Sequence, residues 1–139
     1  MPVRFNSDLL LDNPVSLQRL EGICLLFGAI AAWYILNGNW IVIIALLLAT
    51  DLSALGYLAN KKIGAMIYNA FHSYPIPALF LAAGLVLHID IVVFIGLAVF
   101  AHIGADRALG FGLKFPSGFK DTHLGRIGQR RKNGYRLAK

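Results

Sequence analysis

The sequence predicts an all-α integral membrane protein, a four-helix bundle with both termini in the cytoplasm. The first supporting observation is composition: 58% of the 139 residues are hydrophobic and only 14% are charged. The mean hydropathy is +0.65, and a chain of this size lacks the polar surface that a soluble globule needs. The second observation is a set of four long apolar runs, and the third is the distribution of lysine and arginine.

The four apolar runs have the length of membrane spans. A helix rises about 1.5 Å per residue, so about 20 apolar residues cross the hydrocarbon core of a bilayer. The predicted spans are residues 17–36, 40–59, 63–87 and 91–109. We interpret residues 1–139 as a single membrane domain in which the last span leads into a basic cytoplasmic tail at 114–139.

Lysine and arginine occur on one predicted side of the membrane. With four spans, the N-terminal arm, the central loop and the C-terminal tail share a side. Lys61 and Lys62 lie in the central loop, and the other basic residues lie in the arm, in the tail or at the adjoining ends of the spans. The opposite connections, 37–39 and 88–90, contain no lysine or arginine. Because cytoplasmic loops retain positive charge during insertion, we expect both termini in the cytoplasm.

Ionisable residues inside the spans are the strongest indication of a functional site. An aspartate at the centre of a span costs about 2.5–3.5 kcal/mol on the insertion scale, so such residues usually face the interior of a bundle. Asp51 and His72 each lie about 15 Å along their helices from the central-loop lysines. His102 and Asp106 lie about 18 and 12 Å from Lys114 on the same measure. We therefore expect these groups at a similar depth in the cytoplasmic half.

Helical spacing places some of these residues on common faces. His102 and Asp106 are four residues apart, so Asp106 is placed either to orient the imidazole or to bind the same ion. Tyr68, Asn69 and His72 fall within a sector of about 100° and give the third span one polar stripe. The same stripe is also typical of a purely structural role, in which these side chains form hydrogen bonds between helices.

The prolines after His72 support a functional site, whereas the position of Asp51 gives it less support. Pro75 and Pro77 follow His72 by about one turn, and proline interrupts the helical hydrogen-bond ladder. Irregular backbone at this depth is tolerated where it is buried in protein or lines a cavity. Asp51 has less support, because Ser53 and the polar residues after it form a different face of the second span.

The residue types suit a metal. Imidazole nitrogen and carboxylate oxygen bind zinc, iron or manganese, and such a metal activates water. The candidate ligands are His72, His102, Asp106 and Asp51. The candidate catalytic residues are Asp51, Tyr68, Asn69, Arg107, Asp121 and His123. The last two are expected either to fold over the mouth of the site after a flexible segment or to form an ordinary turn or the start of a short cytoplasmic helix.

The basic tail predicts contact with membrane lipids. Basic residues directly after a span are explained by anionic head groups and by topology, and no nucleic-acid partner is expected. His102 with Asp106 is also open to a purely structural interpretation, as a polar contact between helices. The sequence does not define the oligomeric state.

Three segments carry a resemblance to a known family. They are LQRLEG, DLSALGYLANKKIGAMIYNAFHSY and AHIGADRALGFGLKFPSGFKDTHLGRIG. Across residues 15–128 the chain resembles a small bacterial membrane-protein family catalogued as a domain of unknown function. The resemblance implies four spans in the bacterial cytoplasmic (inner) membrane, and it implies no activity. It does not account for the basic extension after Gly128.

Three functional hypotheses follow. The leading one is a membrane-embedded, metal-assisted enzyme, such as a hydrolase, that acts on a lipid or another amphipathic substrate from the cytoplasmic leaflet. The second is a haem-b or electron-transfer protein in which His72 and His102 are the axial ligands. The third is a structural or partner-binding membrane subunit without catalysis, in which the polar residues only hold the helices together.

Overall fold

The computed structural model describes residues 13–128, and most of them are helical. The helices are α1 (Pro14–Ile35), α2 (Trp40–Asp51), a 3-10 helix (Leu52–Leu58), α3 (Lys61–Phe71), α4 (Pro75–Leu87) and α5 (Asp90–Leu109). They form four segments long and apolar enough to cross a membrane, namely Pro14–Ile35, Trp40–Leu58, Lys61–Leu87 and Asp90–Leu109. The predicted fold class is therefore confirmed, and the chain is a multi-pass membrane protein.

The N-terminal arm before residue 13 and the basic tail beyond residue 128 lie outside the described residues. Their predicted placement in the cytoplasm stays a prediction. So does the assignment of the whole chain to one domain.

Helix α5 is the centre of the structure. It packs against α1, α2 and α4. In its apolar stretch 56% of the residues are buried, compared with 11–17% in the other three segments. Its buried positions include Gly96, Ala98, Ala101 and Gly104. Small residues at helix contacts let backbones approach closely, which is how helices associate in a membrane. The exposed faces of the other helices are accordingly the lipid-facing surface.

The contact between α1 and α5 depends on glycine. A Cβ atom added to Gly22 would lie 2.6 Å from the Arg107 Cβ and 2.8 Å from the Gly104 carbonyl oxygen. A Cβ on Gly104 would lie 2.6 Å from the Leu26 amide nitrogen. These are backbone and stem atoms that cannot move aside. The two glycines therefore set the position of α5, which carries His102 and Asp106.

The third span is broken at the predicted place. Helix α3 ends at Phe71, His72 is its C-cap, and α4 begins at Pro75. Proline at the first helical position has no N–H to donate, so the ladder of α3 cannot run through it. The carbonyl oxygen of His72 instead accepts a hydrogen bond from Arg107 Nη2 at 2.8 Å.

The second span tightens toward its C-terminal end. The Thr50 hydroxyl donates to the Leu46 carbonyl at 3.0 Å, a bond that often bends a helix, and a 3-10 helix follows from Leu52. Asp51 and Ser53 would lie about 160° apart on an α-helix but about 120° apart with three residues per turn. This change brings Asp51 and Ser53 toward the same neighbour, although the sequence placed them on different faces.

The segment after α5 differs from the flexible stretch that was expected there. It forms an antiparallel sheet of β1 (Lys114–Phe115), β2 (Gly118–Thr122) and β3 (Gly125–Arg126). Asp121 ends up in β2 just before a turn at His123, and not at the start of a helix. Pro116 and Ser117 form the turn between the first two strands, and these residue types favour turns. The sheet packs against α3. This part of the predicted cytoplasmic tail is therefore folded onto the helices.

We expect Gly22→Ala to destabilise the protein and Gly28→Ala to leave it unchanged or more stable. Both glycines are in α1, but a Cβ at Gly28 has no atom within 4 Å. Overpacking costs about 1–3 kcal/mol, whereas alanine in an open helical position gains about 0.5–1 kcal/mol over glycine. Thermal unfolding in detergent would measure the difference. Equal melting temperatures for the two variants would contradict the close approach of α1 and α5.

Candidate metal centre

Three side chains from three different spans converge inside the bundle. The Nε2 atoms of His72 and His102 are 3.2 Å apart. Asp51 Oδ1 lies 3.3 Å from the His102 Nε2 and 3.6 Å from the His72 Nε2. Donors bound at about 2.0–2.1 Å around a tetrahedral ion are about 3.3–3.4 Å from one another. One metal ion would therefore reach all three atoms with little rearrangement.

Asp106 lies slightly further out. Its Oδ2 is 3.7 Å from the His72 Nε2 and 3.9 Å from the His102 Nε2. The Tyr68 hydroxyl donates to the same oxygen at 3.1 Å. Asp106 is thus held beside the three-donor cluster, in position either for a fourth bond to an ion or for accepting a proton at its edge.

The hydrogen bonds of His72 define which ring nitrogen carries the proton and which is unprotonated. Nδ1 lies 3.0 Å from the Tyr68 carbonyl oxygen, to which it donates its proton. The neutral ring therefore presents an unprotonated Nε2 to His102 and Asp51. The Ser53 hydroxyl lies 3.4 Å from Nδ1. A histidine that donates its second ring N–H to a backbone carbonyl is the usual arrangement of a metal ligand.

Aromatic rings cover the cluster. The Tyr68 ring stacks on His72 with centroids 3.7 Å apart and an interplanar angle of 11°. The Lys114 Nζ lies 4.2 Å from the centre of the Phe119 ring and 4.9 Å from that of Tyr68. Burial lowers the pKa of the Lys114 ammonium. The β-sheet therefore closes one side of the site with an apolar ring and a partly desolvated cation.

Asn69 and Arg107, both predicted to be catalytic, bind backbone instead. The Asn69 side chain donates to the Lys114 carbonyl at 2.8 Å and accepts from the Lys114 amide at 2.7 Å. Arg107 donates to the carbonyls of His72 and Phe111 at 2.8 and 2.6 Å. Asn69 attaches β1 to α3, and Arg107 joins α5 to the break in the third span. Both residues help to position the cluster, because the hydrogen bonds described for their side chains go to the backbone around it.

The structure does not bring Asp121 and His123 to the cluster. Asp121 Oδ2 accepts from the Ser117 hydroxyl at 2.9 Å, and its other oxygen is 3.5 Å from Arg126 Nε. His123 Nδ1 accepts from the Leu113 amide at 2.8 Å, and Nε2 lies 3.1 Å from Gln18 Oε1. Burial, assisted by the Arg107 charge, lowers the pKa of His123, which favours the neutral ring that these bonds require. Both residues stabilise the sheet.

The cluster is open on the side of Asp51. The Asp51 side chain is 62% exposed, whereas that of His72 is fully buried. Leu48, Leu52 and Leu55, which precede and follow Asp51 on the second span, are also exposed. The open side therefore lies within an apolar surface of the bundle.

Three contributors were missed by the sequence analysis. Ser53 was placed on another face, and Lys114 and Phe119 were assigned to the tail. Pro116, Ser117 and Gly118 between short alternating stretches are a hairpin signal that would have indicated the sheet. No local signal indicated that the hairpin would lie over Tyr68.

Comparisons with known proteins agree with this description at the level of the family. No curated protein and no solved structure matches the chain. A family model described as a domain of unknown function (DUF4260) matches residues 15–127. The matched range includes the candidate metal-binding cluster and all three strands of the sheet. The chain therefore belongs to the DUF4260 family.

Proposed function

We propose that this chain is a membrane-embedded, metal-dependent hydrolase that acts on a lipid or another amphipathic substrate. The observation that carries the proposal is the separation of 3.2–3.6 Å among three donor atoms from three spans. Two imidazoles and one carboxylate leave a coordination position for water, as in catalytic zinc sites. Zinc, manganese and iron all suit this donor set.

The residues around the ligands supply the remaining chemistry. A bound metal would lower the pKa of a coordinated water and polarise the ester oxygen of the substrate. Asp106 lies 3.7–3.9 Å from both imidazole nitrogens and accepts the proton of the attacking water. The water oxygen forms a bond to the ester carbon or phosphorus, the bond to the leaving oxygen breaks, and that oxygen takes up the proton that Asp106 accepted, which restores the carboxylate. The Tyr68 hydroxyl holds the acceptor oxygen of Asp106 in place.

The open side of the cluster indicates the class of substrate. Asp51 is exposed between leucines on a segment that is apolar enough to cross a membrane. A lipid in the same leaflet therefore reaches the cluster sideways, without leaving the bilayer. A small polar substrate would have to cross the same apolar surface, which is unfavourable.

Orientation completes the proposal. Lys61 and Lys62 begin α3 at the inner end of the cluster-bearing half, and the two opposite connections have no basic residue. Cytoplasmic loops retain positive charge. We place the cluster in the cytoplasmic leaflet of a bacterial inner membrane, with both termini in the cytoplasm.

The geometry does not favour the haem hypothesis. Two axial ligands lie on opposite faces of the macrocycle, so their nitrogens are about 4 Å apart at bond lengths of about 2 Å. The two Nε2 atoms here are within hydrogen-bond distance at 3.2 Å, and the rings are at 78° with centroids 5.0 Å apart. A porphyrin does not fit between rings at this separation.

The structural hypothesis is favoured by the same short contact. A hydrogen bond from one Nε2 to the other would join α3 to α5 without any metal, and buried imidazoles need such partners. The two functions differ in one measurable property, because only the enzyme hypothesis requires a bound ion.

Elemental analysis of the detergent-purified protein should find about one zinc, manganese or iron ion per chain, as the donor set requires. Asp51→Asn should reduce metal occupancy at least about ten-fold, because it removes the charge of a direct ligand. Asp51 is exposed, so this variant is expected to fold, and His102→Ala should have the same effect. Circular dichroism would confirm the helical content of both variants.

Asp121→Asn is the matched control, because it removes a carboxylate that lies on the sheet and not in the cluster. Its metal content should equal that of the wild type. A wild-type protein that binds none of the three metals even after incubation with them would refute the metal centre and favour the structural hypothesis.

The metal-loaded protein should hydrolyse phospholipid in vesicles of phosphatidylethanolamine and phosphatidylglycerol, with product detected by mass spectrometry. Asp106→Asn should retain metal but slow turnover about 10²–10⁴-fold, the usual contribution of a general base. Asp121→Asn should be as active as the wild type. Product formation no faster than in protein-free vesicles would exclude phosphatidylethanolamine and phosphatidylglycerol as substrates and contradict the proposal that the enzyme hydrolyses these membrane phospholipids.

A further inference from the structure

A cavity separate from the His72–His102–Asp51 cluster lies at the end of the bundle where α1 begins and α5 ends. Its volume is about 330 Å³, and none of the cluster residues lines it. The apolar part of the wall consists of Val15, Leu109, Phe111, Leu124 and Ile127. Two arginines and three glycines complete the wall, so none of the lining residues within 13–128 is a carboxylate.

The two arginines give this cavity an affinity for anions. Arg19 uses Nη2 to donate to the Leu109 carbonyl at 3.2 Å, its one side-chain hydrogen bond to the part of the chain that the structure describes, and a guanidinium group carries five N–H donors in all. Arg126 has a 57% exposed side chain, and its Nε lies 3.5 Å from Asp121 Oδ1. Guanidinium groups bind phosphate through paired hydrogen bonds and are weakly hydrated, so they suit a partly apolar site.

A glycine makes room for the first arginine. Gly110 has φ +90°, and a Cβ atom there would collide with the Arg19 guanidinium. The chain turns in the left-handed region at the C-cap of α5, where a residue without a Cβ pays no steric penalty. Arg19 can consequently lie against the carboxyl end of α5, where its charge also interacts favourably with the helix dipole.

The position of the cavity defines the kind of anion. Helices α1 and α5 are both long and apolar enough to cross a membrane, so the end where one begins and the other stops lies at the membrane surface. Lipid phosphates occupy this level, with acyl chains extending toward the helix faces. A ligand with a phosphate and an apolar body matches both the arginines and the walls.

We infer that this cavity binds the head group of an anionic phospholipid, with the phosphate between Arg19 and Arg126 and the glycerol and first acyl carbons against Val15, Leu109 and Phe111. The inference does not depend on the metal centre. It assigns a lipid-binding role to the sheet, since β3 and the turns beside it supply one wall.

Native mass spectrometry in detergent would test the inference with phosphatidylglycerol, phosphatidylcholine and glycerol 3-phosphate as probes. The wild type should bind phosphatidylglycerol about ten-fold more tightly than phosphatidylcholine. The double variant Arg19→Gln/Arg126→Gln should lose about ten-fold in affinity for phosphatidylglycerol, as expected for charge-assisted hydrogen bonds. The single variant Arg126→Gln changes an exposed side chain only, and should lose about three-fold even if the double variant folds poorly.

The matched control is Lys61→Gln/Lys62→Gln, which removes the same charge from exposed positions at the start of α3. It should bind phosphatidylglycerol as the wild type does. Equal losses in the two double variants would show general attraction to charge and would overturn the inference. Equal affinity for glycerol 3-phosphate and for the lipid would also overturn it, because the ligand would then be a free phosphate ester.

Discussion

The imidazole of His72 is completely buried in a segment that crosses a membrane, so both of its nitrogens must find partners inside the protein. Nδ1 has the carbonyl oxygen of Tyr68 one turn earlier, together with Ser53. Among the described residues, the neighbours of Nε2 all come from other spans, namely His102, Asp51 and Asp106. This requirement holds three spans in register at one depth.

The surrounding structure follows from the position of His72 at a break in its span. Because Pro75 stops the helix, the His72 carbonyl has no helical donor, and Arg107 of α5 supplies one. Arg107 also binds the carbonyl of Phe111 and so directs the chain as it leaves α5. The sheet that follows is attached through Asn69, three residues before His72. The break in the third span, helix α5 and the β-sheet are thus connected around the buried ring of His72.

Much of the fold was predictable from the sequence because a membrane imposes simple constraints. Hydropathy and length locate the four spans, and proline locates the break. Depth along the helices indicated that Asp51, His72, His102 and Asp106 share a level. The orientation of Asp51 was less clear, because the change to a 3-10 helix after it alters the angle to Ser53. Periodicity with a fixed 3.6 residues per turn does not reveal such a change.

The roles of the other polar residues depended on tertiary contacts. Asn69 and Arg107 have the side chains of catalytic groups, but irregular backbone nearby uses all the hydrogen bonds described for them. Asp121 and His123 serve a small sheet whose docking surface no local pattern reveals. Conversely, Lys114 looked like part of a basic tail, yet it lies over two aromatic rings beside the cluster.

X-ray absorption spectroscopy of the metal-loaded protein would test the central claim most directly, because it reports the atoms around the ion. The account predicts a first shell of nitrogen and oxygen at about 2.0–2.2 Å with outer-shell scattering from two imidazoles. A shell of oxygen alone, without imidazole scattering, would contradict a metal centre built from His72 and His102.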